Sequence, residues 1–163
     1  MTSWNPSATV AAVVEQDGRL LMIEEHTADG LRLNQPAGHL DPGETLAQAA
    51  VRETLEETGW TVAPQAVLGL HMARYANAAR GIDVTYLRHT FVCRPVSHDP
   101  GRALDTGIVR AFWMTPDAIL AVPQRHRSPL VARAVHDWLA GRRYPLELVW
   151  THDSALAAPG NAP

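Results

Sequence analysis

The order of elements along the chain predicts an α/β fold of the α+β kind, a mixed β-sheet sandwiched between helices, and three observations carry that reading. Apolar and β-branched runs lie on both sides of Asp17-Gly18, and Asp-Gly between two such runs is a strong hairpin signal. A helical pattern between Thr45 and Gly59 then interrupts the strand-like runs. A second helical pattern closes the domain, so strands and helices come in mixed order and call for helices on both sheet faces.

The elements follow in sequence. The first residues, small and polar around Pro6, form a loose end. Residues 8–14 and 20–24 make the first hairpin, and Asp29-Gly30 turns the chain into a short strand at 31–33. Gln35-Pro36-Ala37-Gly38 breaks the pattern and opens a loop. Asp41-Pro42-Gly43 is a turn, Thr45 caps a helix reaching Thr58, and Gly59 closes it in the usual C-terminal position. Residues 60–74 and 83–93 read as a strand pair joined by a loop at 76–81, and 109–113 as a further strand. Thr115-Pro116-Asp117 starts a short helix, and Ser128-Pro129 starts a last one ending near Gly141. The Ala-, Pro- and Gly-rich tail at 151–163 is expected to be disordered, leaving 1–150 as a single domain.

Composition excludes several functions. The 14 basic residues are all arginine. Without lysine there is neither a Walker-type phosphate loop nor Schiff-base chemistry. A net charge of −3 gives no electrostatic footprint for nucleic acid. Cys93 is the single cysteine, so no disulfide framework or cysteine zinc site exists, and its alternating apolar surroundings read as a buried, inert thiol. The N-terminus has no basic stretch followed by an apolar core, and no stretch approaches the roughly 20 apolar residues of a membrane helix. A soluble, cytoplasmic chain, monomeric or a small homo-oligomer, is the expectation.

The most informative segment is residues 38–59, GHLDPGETLAQAAVRETLEETG. Glu53, Glu56 and Glu57 stand at i, i+3 and i+4, side by side on one helix face. Ala47, Ala50, Val51, Thr54 and Leu55 fall in another arc, which predicts a small apolar face turned inward and carboxylates turned to a cleft. Arg52 pairs with Glu56, whereas Glu53 and Glu57 have no basic partner on the helix. Crowded carboxylates of this kind need a cation, and hard oxygen ligands suit Mg²⁺ or Mn²⁺, which at such sites works on phosphate groups.

The spacing G-x5-E-x7-R-E-x-x-E-E-x-G resembles the box of the Nudix hydrolase family. NQPAGHL at 34–40, RSPLV at 127–131 and RYPLE at 143–147 extend the likeness to the NudJ-type phosphatase branch and to nearly the whole domain. The resemblance implies a Nudix-like hydrolase domain whose metal ligands are Glu53, Glu56, Glu57 and the backbone of Gly38. It makes Arg52 the residue that orients the glutamates, Glu44 a loop brace, and Glu57 or Glu53 the base. It also implies a small phosphorylated substrate, a nucleoside tri- or diphosphate or a thiamin-pathway diphosphate such as hydroxymethylpyrimidine diphosphate. The alternatives are an ADP-ribose or dinucleotide pyrophosphatase of the same family, and a Nudix module that binds a nucleotide without turning it over.

Two departures stand out. Thr54 replaces a larger aliphatic and lies in the apolar arc, where it affects packing. Many members carry an acid where this chain has Gly107 before Ile108, which leaves Asp105 as the nearest candidate. Arg32 and Arg88 are placed to reach phosphate, or are ordinary strand arginines. Gln35 and His71 either meet the substrate's polar edge or are structural. Trp4, Tyr75 and Tyr86 either stack a base or belong to core and surface, and His39 is read as a loop brace.

Overall fold

The computed structural model describes residues 4–157. Its strands are β1 (Ser7–Gln16), β2 (Arg19–Thr27), β3 (Gly30–Asn34), β4 (Ala37–His39), β5 (Trp60–Asn77), β6 (Ile82–His98) and β7 (Ile108–Met114). Its helices are α1 (Leu46–Thr58), α2 (Pro116–Leu120) and α3 (Leu130–Leu139). The hairpin at Asp17-Gly18 is as expected. Both residues have positive φ, 52° and 74°, the conformation a two-residue turn needs and Asp-Gly supplies.

The strands run in the order β3-β2-β1-β6-β5, with β4 beside β1 and β7 beside β2. β1 and β6 pair in parallel, and the other pairs are antiparallel, so the sheet is mixed. Successive residues of a strand point to opposite faces. Val13 therefore packs with Leu68, Val92 and the α3 residues Val131, Ala134 and Val135. Its neighbour Ala12 points the other way, packing with Val10, Val14 and Phe91 against Ala49 and Ala50 of α1. Helices thus cover both faces.

Three local features differ from the expectation. β4 lies where the sequence showed only a loop, because three residues carry no periodicity. α3 begins at Leu130 with Pro129 as its cap, one position later than read, while Ser128 Oγ still accepts from Leu130 N at 3.2 Å. In the segment expected to be loose, Asp153–Ala155 forms a 3-10 turn, and residues 158–163 lie outside the described residues.

Candidate active site

β1 touches β2 only next to their turn, at Glu15–Leu20 and Gln16–Arg19. Beyond it the two strands diverge, so β2, β3 and β7 lean away from β1, β6 and β5. The wedge between them is a cleft of about 430 Å³. Glu25 and Asn34 line one wall, and Thr9, Tyr75, Tyr86 and Arg88 the other. Gly38, Glu53 and Glu57 line its base, and Arg127 to Leu130 border it from the start of α3.

α1 delivers the carboxylates because its ends are fixed. Thr45 and Gln48 form a reciprocal capping box, and Gly59 ends the helix at φ 72°. The arcs differ from the sequence reading. Its buried stripe is Ala49, Ala50, Glu53, Thr54, Glu57 and Thr58, so two of the glutamates lie within the inward face and Ala47, Val51 and Leu55 beside it. The physical reason is that the cleft reaches down to the helix itself. Thr54 is fully buried and its hydroxyl donates to the Ala50 carbonyl at 2.7 Å.

The strand β4 crosses directly over these groups. Ala37 N donates to Glu57 Oε2 at 2.8 Å. A Cβ on Gly38 would stand 2.0 Å from the Glu53 carboxyl carbon, so any side chain there would displace the carboxylate. Arg52 gathers the outer side. It grips Glu44 with two bonds of 3.0 and 2.7 Å and donates to Glu53 Oε1 at 2.8 Å and Glu56 Oε2 at 3.0 Å. It also donates to the His39 carbonyl at 2.9 Å, while Glu44 accepts from Asp41 N at 2.7 Å and holds the loop.

Burial pushes the Glu57 carboxyl up to about 9; the Ala37 N–H opposes this, and the charges of Glu53, Glu25 and Asp105 add to it. Burial raises Glu53 as well, against the pull of Arg52. Arg88 is buried and pushed down to about 10 by desolvation, with Glu25 and Glu57 opposing. Its Nη1 donates to Asn34 Oδ1 at 3.3 Å, and its Nε has no partner among the described residues.

Of the residues expected to form the site, Gly38, Glu53, Glu57 and Arg88 come together in the cleft, with Arg52 immediately behind. Glu56 does not line it and turns to Arg52 instead. Among the described residues, no three His, Cys, Asp or Glu side chains are grouped as a ready metal site. The donors available still suit a hard divalent cation: two desolvated, mutually repelling carboxylates and the backbone oxygen of a glycine pressed against one of them.

Other expectations fall elsewhere. Arg32 is not on the cleft, and its Nη1 donates to the adjacent Leu31 carbonyl. Gln35 is fully buried and donates to the Val131 carbonyl at 3.0 Å, tying the segment just after β3 to α3. His71 is also buried, 2.8 Å from Asp137, and Trp4 is exposed and does not line the cleft. Tyr75, Tyr86 and His39 do border it. Gly107 has φ 96° beside a register shift between Glu24 and Glu25, so an acid there would be strained. Asp105 is exposed, yet near enough for its charge to raise Glu53 and Glu57.

Glu25, Asn34 and Arg127 were missed. Consecutive Glu24 and Glu25 on a strand were the available signal, since adjacent residues face opposite ways. Glu24 is buried between Arg110 and Arg125, while Glu25 faces the cleft and accepts from Asn34 Nδ2 at 3.2 Å.

A cleft of this kind, on a mixed sheet with a glycine-led loop and a glutamate helix, defines a class. Residues 4–139 match the NUDIX domain model, and the chain belongs to that family. It is a hydrolase of phosphoanhydride bonds. It is 38% identical over 147 residues to phosphatase NudJ of Escherichia coli, a match covering 90% of this chain and 92% of the relative. A NUDIX hydrolase from Nitrosomonas europaea superposes with a TM-score of 0.83 at 48% identity, covering 91% of this chain and 99% of the other. A MutT NUDIX hydrolase from Burkholderia pseudomallei shares the fold at 22% identity and a TM-score of 0.62, over 82% and 98% of the two chains. No helix among the described residues is long and apolar enough to cross a membrane.

Proposed function

We propose that the chain is a divalent-metal-dependent phosphatase that releases orthophosphate from nucleoside tri- and diphosphates and from hydroxymethylpyrimidine or thiamin diphosphate. The observation that carries this reading is the buried Glu53–Glu57 pair, Glu53 against Gly38 and Glu57 bonded by Ala37 N, faced by Arg88, whose Nε has no partner among the described residues. The 38% identity to a phosphatase favours it over the pyrophosphatase alternative.

Glu53, Glu57 and the Gly38 carbonyl would hold the cation, while Glu56 accepts from Arg52. Mg²⁺ or Mn²⁺ bound there would neutralise phosphate charge and lower the pKa of a coordinated water. Arg88 binds the terminal phosphoryl oxygens, which satisfies its open donor. Water attacks the terminal phosphorus in line and its proton passes to a carboxylate oxygen of the glutamate pair. The bond to the bridging oxygen breaks, that oxygen keeping the electron pair as the terminal oxyanion of the shortened phosphate chain while orthophosphate is released. Arg52 keeps the pair in place, a task suited to a planar, permanently charged guanidinium.

The test is product identity. With Mg²⁺ and a panel of ADP, ATP, thiamin diphosphate and ADP-ribose, phosphorus NMR should show orthophosphate from the first three. Cleavage of ADP-ribose alone into two monophosphates would overturn the reading. Binding without turnover of any compound would leave a non-catalytic module.

A further inference from the structure

Strand pairing leaves the mouth of the cleft open, and side chains bridge it. β1 starts at Ser7, opposite Tyr86, so β6 before Tyr86 and its partner residues on β5 run past the end of β1. The turn between β2 and β3 ends on the other side of the same gap. The sheet order gives β2 and β3 no pairing with β5 or β6. They meet at Asp29 instead. Tyr75 OH donates to Asp29 Oδ2 at 2.9 Å, Arg80 Nη1 to Asp29 Oδ1 at 3.0 Å, and Arg80 Nη2 to the Ala28 carbonyl at 3.1 Å.

Two features make this more than a surface ion pair. Both carboxylate oxygens of Asp29 are used, one for each partner. Tyr75 is at once a clasp residue and part of the cleft wall, so the position of its ring against a bound substrate depends on Asp29. Asp29 and Arg80 are exposed, and exposed pairs contribute little, so opening the connection costs little energy.

We propose that Asp29 is a specificity-determining residue. By holding Tyr75 and Arg80 it straps the β5–β6 hairpin across the cleft, enclosing a substrate with one organic group and excluding one with a second nucleotide-sized half. The proposal rests on the phosphohydrolase reading for its choice of substrates. Asp29 touches no reacting atom and acts by positioning the Tyr75 ring.

The test compares wild type, Asp29→Ala and Asp29→Asn on Mg²⁺-ADP and Mg²⁺-ADP-ribose. Loss of enclosure in Asp29→Ala should raise KM for ADP about tenfold with kcat within about twofold, because an open wall removes binding common to ground and transition states. Relative kcat/KM for ADP-ribose over ADP should rise about tenfold, with Asp29→Asn in between because its side-chain oxygen still accepts from Tyr75. An unchanged ADP-ribose to ADP ratio in Asp29→Ala would overturn the proposal.

Trypsin gives a readout independent of turnover. Cleavage after Arg80 needs that side chain free of Asp29, so Asp29→Ala should be cut several-fold faster than wild type. ADP with Ca²⁺ should slow cleavage of wild type and not of the variant. Equal cleavage rates and equal protection would sink the strap. If no compound is turned over by wild type, the phosphatase reading fails separately, and the trypsin comparison still decides the strap.

Discussion

Gly38→Ala isolates the geometry on which the proposed chemistry depends. Gly38 does not have a positive φ, so its backbone accepts alanine, and the whole effect comes from the added methyl. That Cβ would lie 2.0 Å from the Glu53 carboxyl carbon and 2.1 and 2.2 Å from its oxygens. Carbon atoms rest at about 3.5–4.0 Å, so the carboxylate must move by roughly 1.5 Å or more. A displacement of about 1 Å in positioned groups costs about 100-fold in rate, so kcat should fall at least that far. The move also strains the 2.8 Å bond to Arg52, but a carboxylate at the end of a flexible side chain beside a cleft can give way, so thermal stability should change far less than rate. Orthophosphate release and thermal unfolding should be measured on the same preparation. Glu53→Asp placed in the Gly38→Ala background shortens the acid by one methylene and should recover part of the activity. A kcat within about threefold of wild type in Gly38→Ala would refute the placement of Glu53 against this strand.

Glu57→Gln should cut turnover by about 100-fold or more while the metal-free protein melts no lower than wild type, because a neutral amide avoids the cost of keeping a buried acid protonated beside Glu53, Glu25 and Asp105. Glu24 is held below the usual carboxylate range by the bond from Arg110, against burial, with the charges of Arg110 and Arg125 adding. The folded state therefore favours its ionised form: the stabilisation is present above the unfolded value near 4.5 and is lost as pH falls through the lower folded value. Glu24→Gln should flatten the acid limb of a stability-versus-pH curve and cost about 1–2 kcal/mol at pH 7, discounted because both arginines are substantially exposed. Asp137 is 4% exposed and is shared by His71, Arg133 and Arg142, so Asp137→Ala should lower denaturant stability by about 2–4 kcal/mol and leave kcat unchanged. Burial pushes the Cys93 thiol up to about 12, and it should react with a thiol reagent at pH 7 only at the rate of unfolding.

Local chemistry made much of the fold legible. Asp17-Gly18, Thr45 and Gly59 each specify a backbone conformation within a few residues, and the structure has the hairpin, the cap and the stop in those places. The parallel pairing of β1 with β6 joins residues far apart in the chain, such as Val13 with Val92, and no local pattern encodes it. The site divides in the same way. Helical spacing brought Glu53, Glu56 and Glu57 together, yet spacing alone does not say where the cleft meets the helix, and Glu56 lies outside it. Arg32 and Arg88 look alike as strand arginines. Only the register, with Arg88 between Thr9 and His71, separates the one in the cleft from the one beside it. Glu25 and Arg127 come from distant parts of the chain and approach to 3.6 Å where Arg127 N donates to the Leu33 carbonyl of β3.

Whether the Glu53–Glu57 pair holds a catalytic divalent cation is decided most directly by titrating Mn²⁺, followed by its paramagnetic resonance signal, into wild type, Glu57→Gln and Glu56→Gln. Orthophosphate release from ADP should be measured alongside. Wild type should bind the ion and turn over with the same metal dependence. Glu57→Gln should lose both, and Glu56→Gln should lose less because Glu56 faces Arg52. Undiminished Mn²⁺ binding in Glu57→Gln, or metal-independent turnover in wild type, would contradict a catalytic cation at this pair.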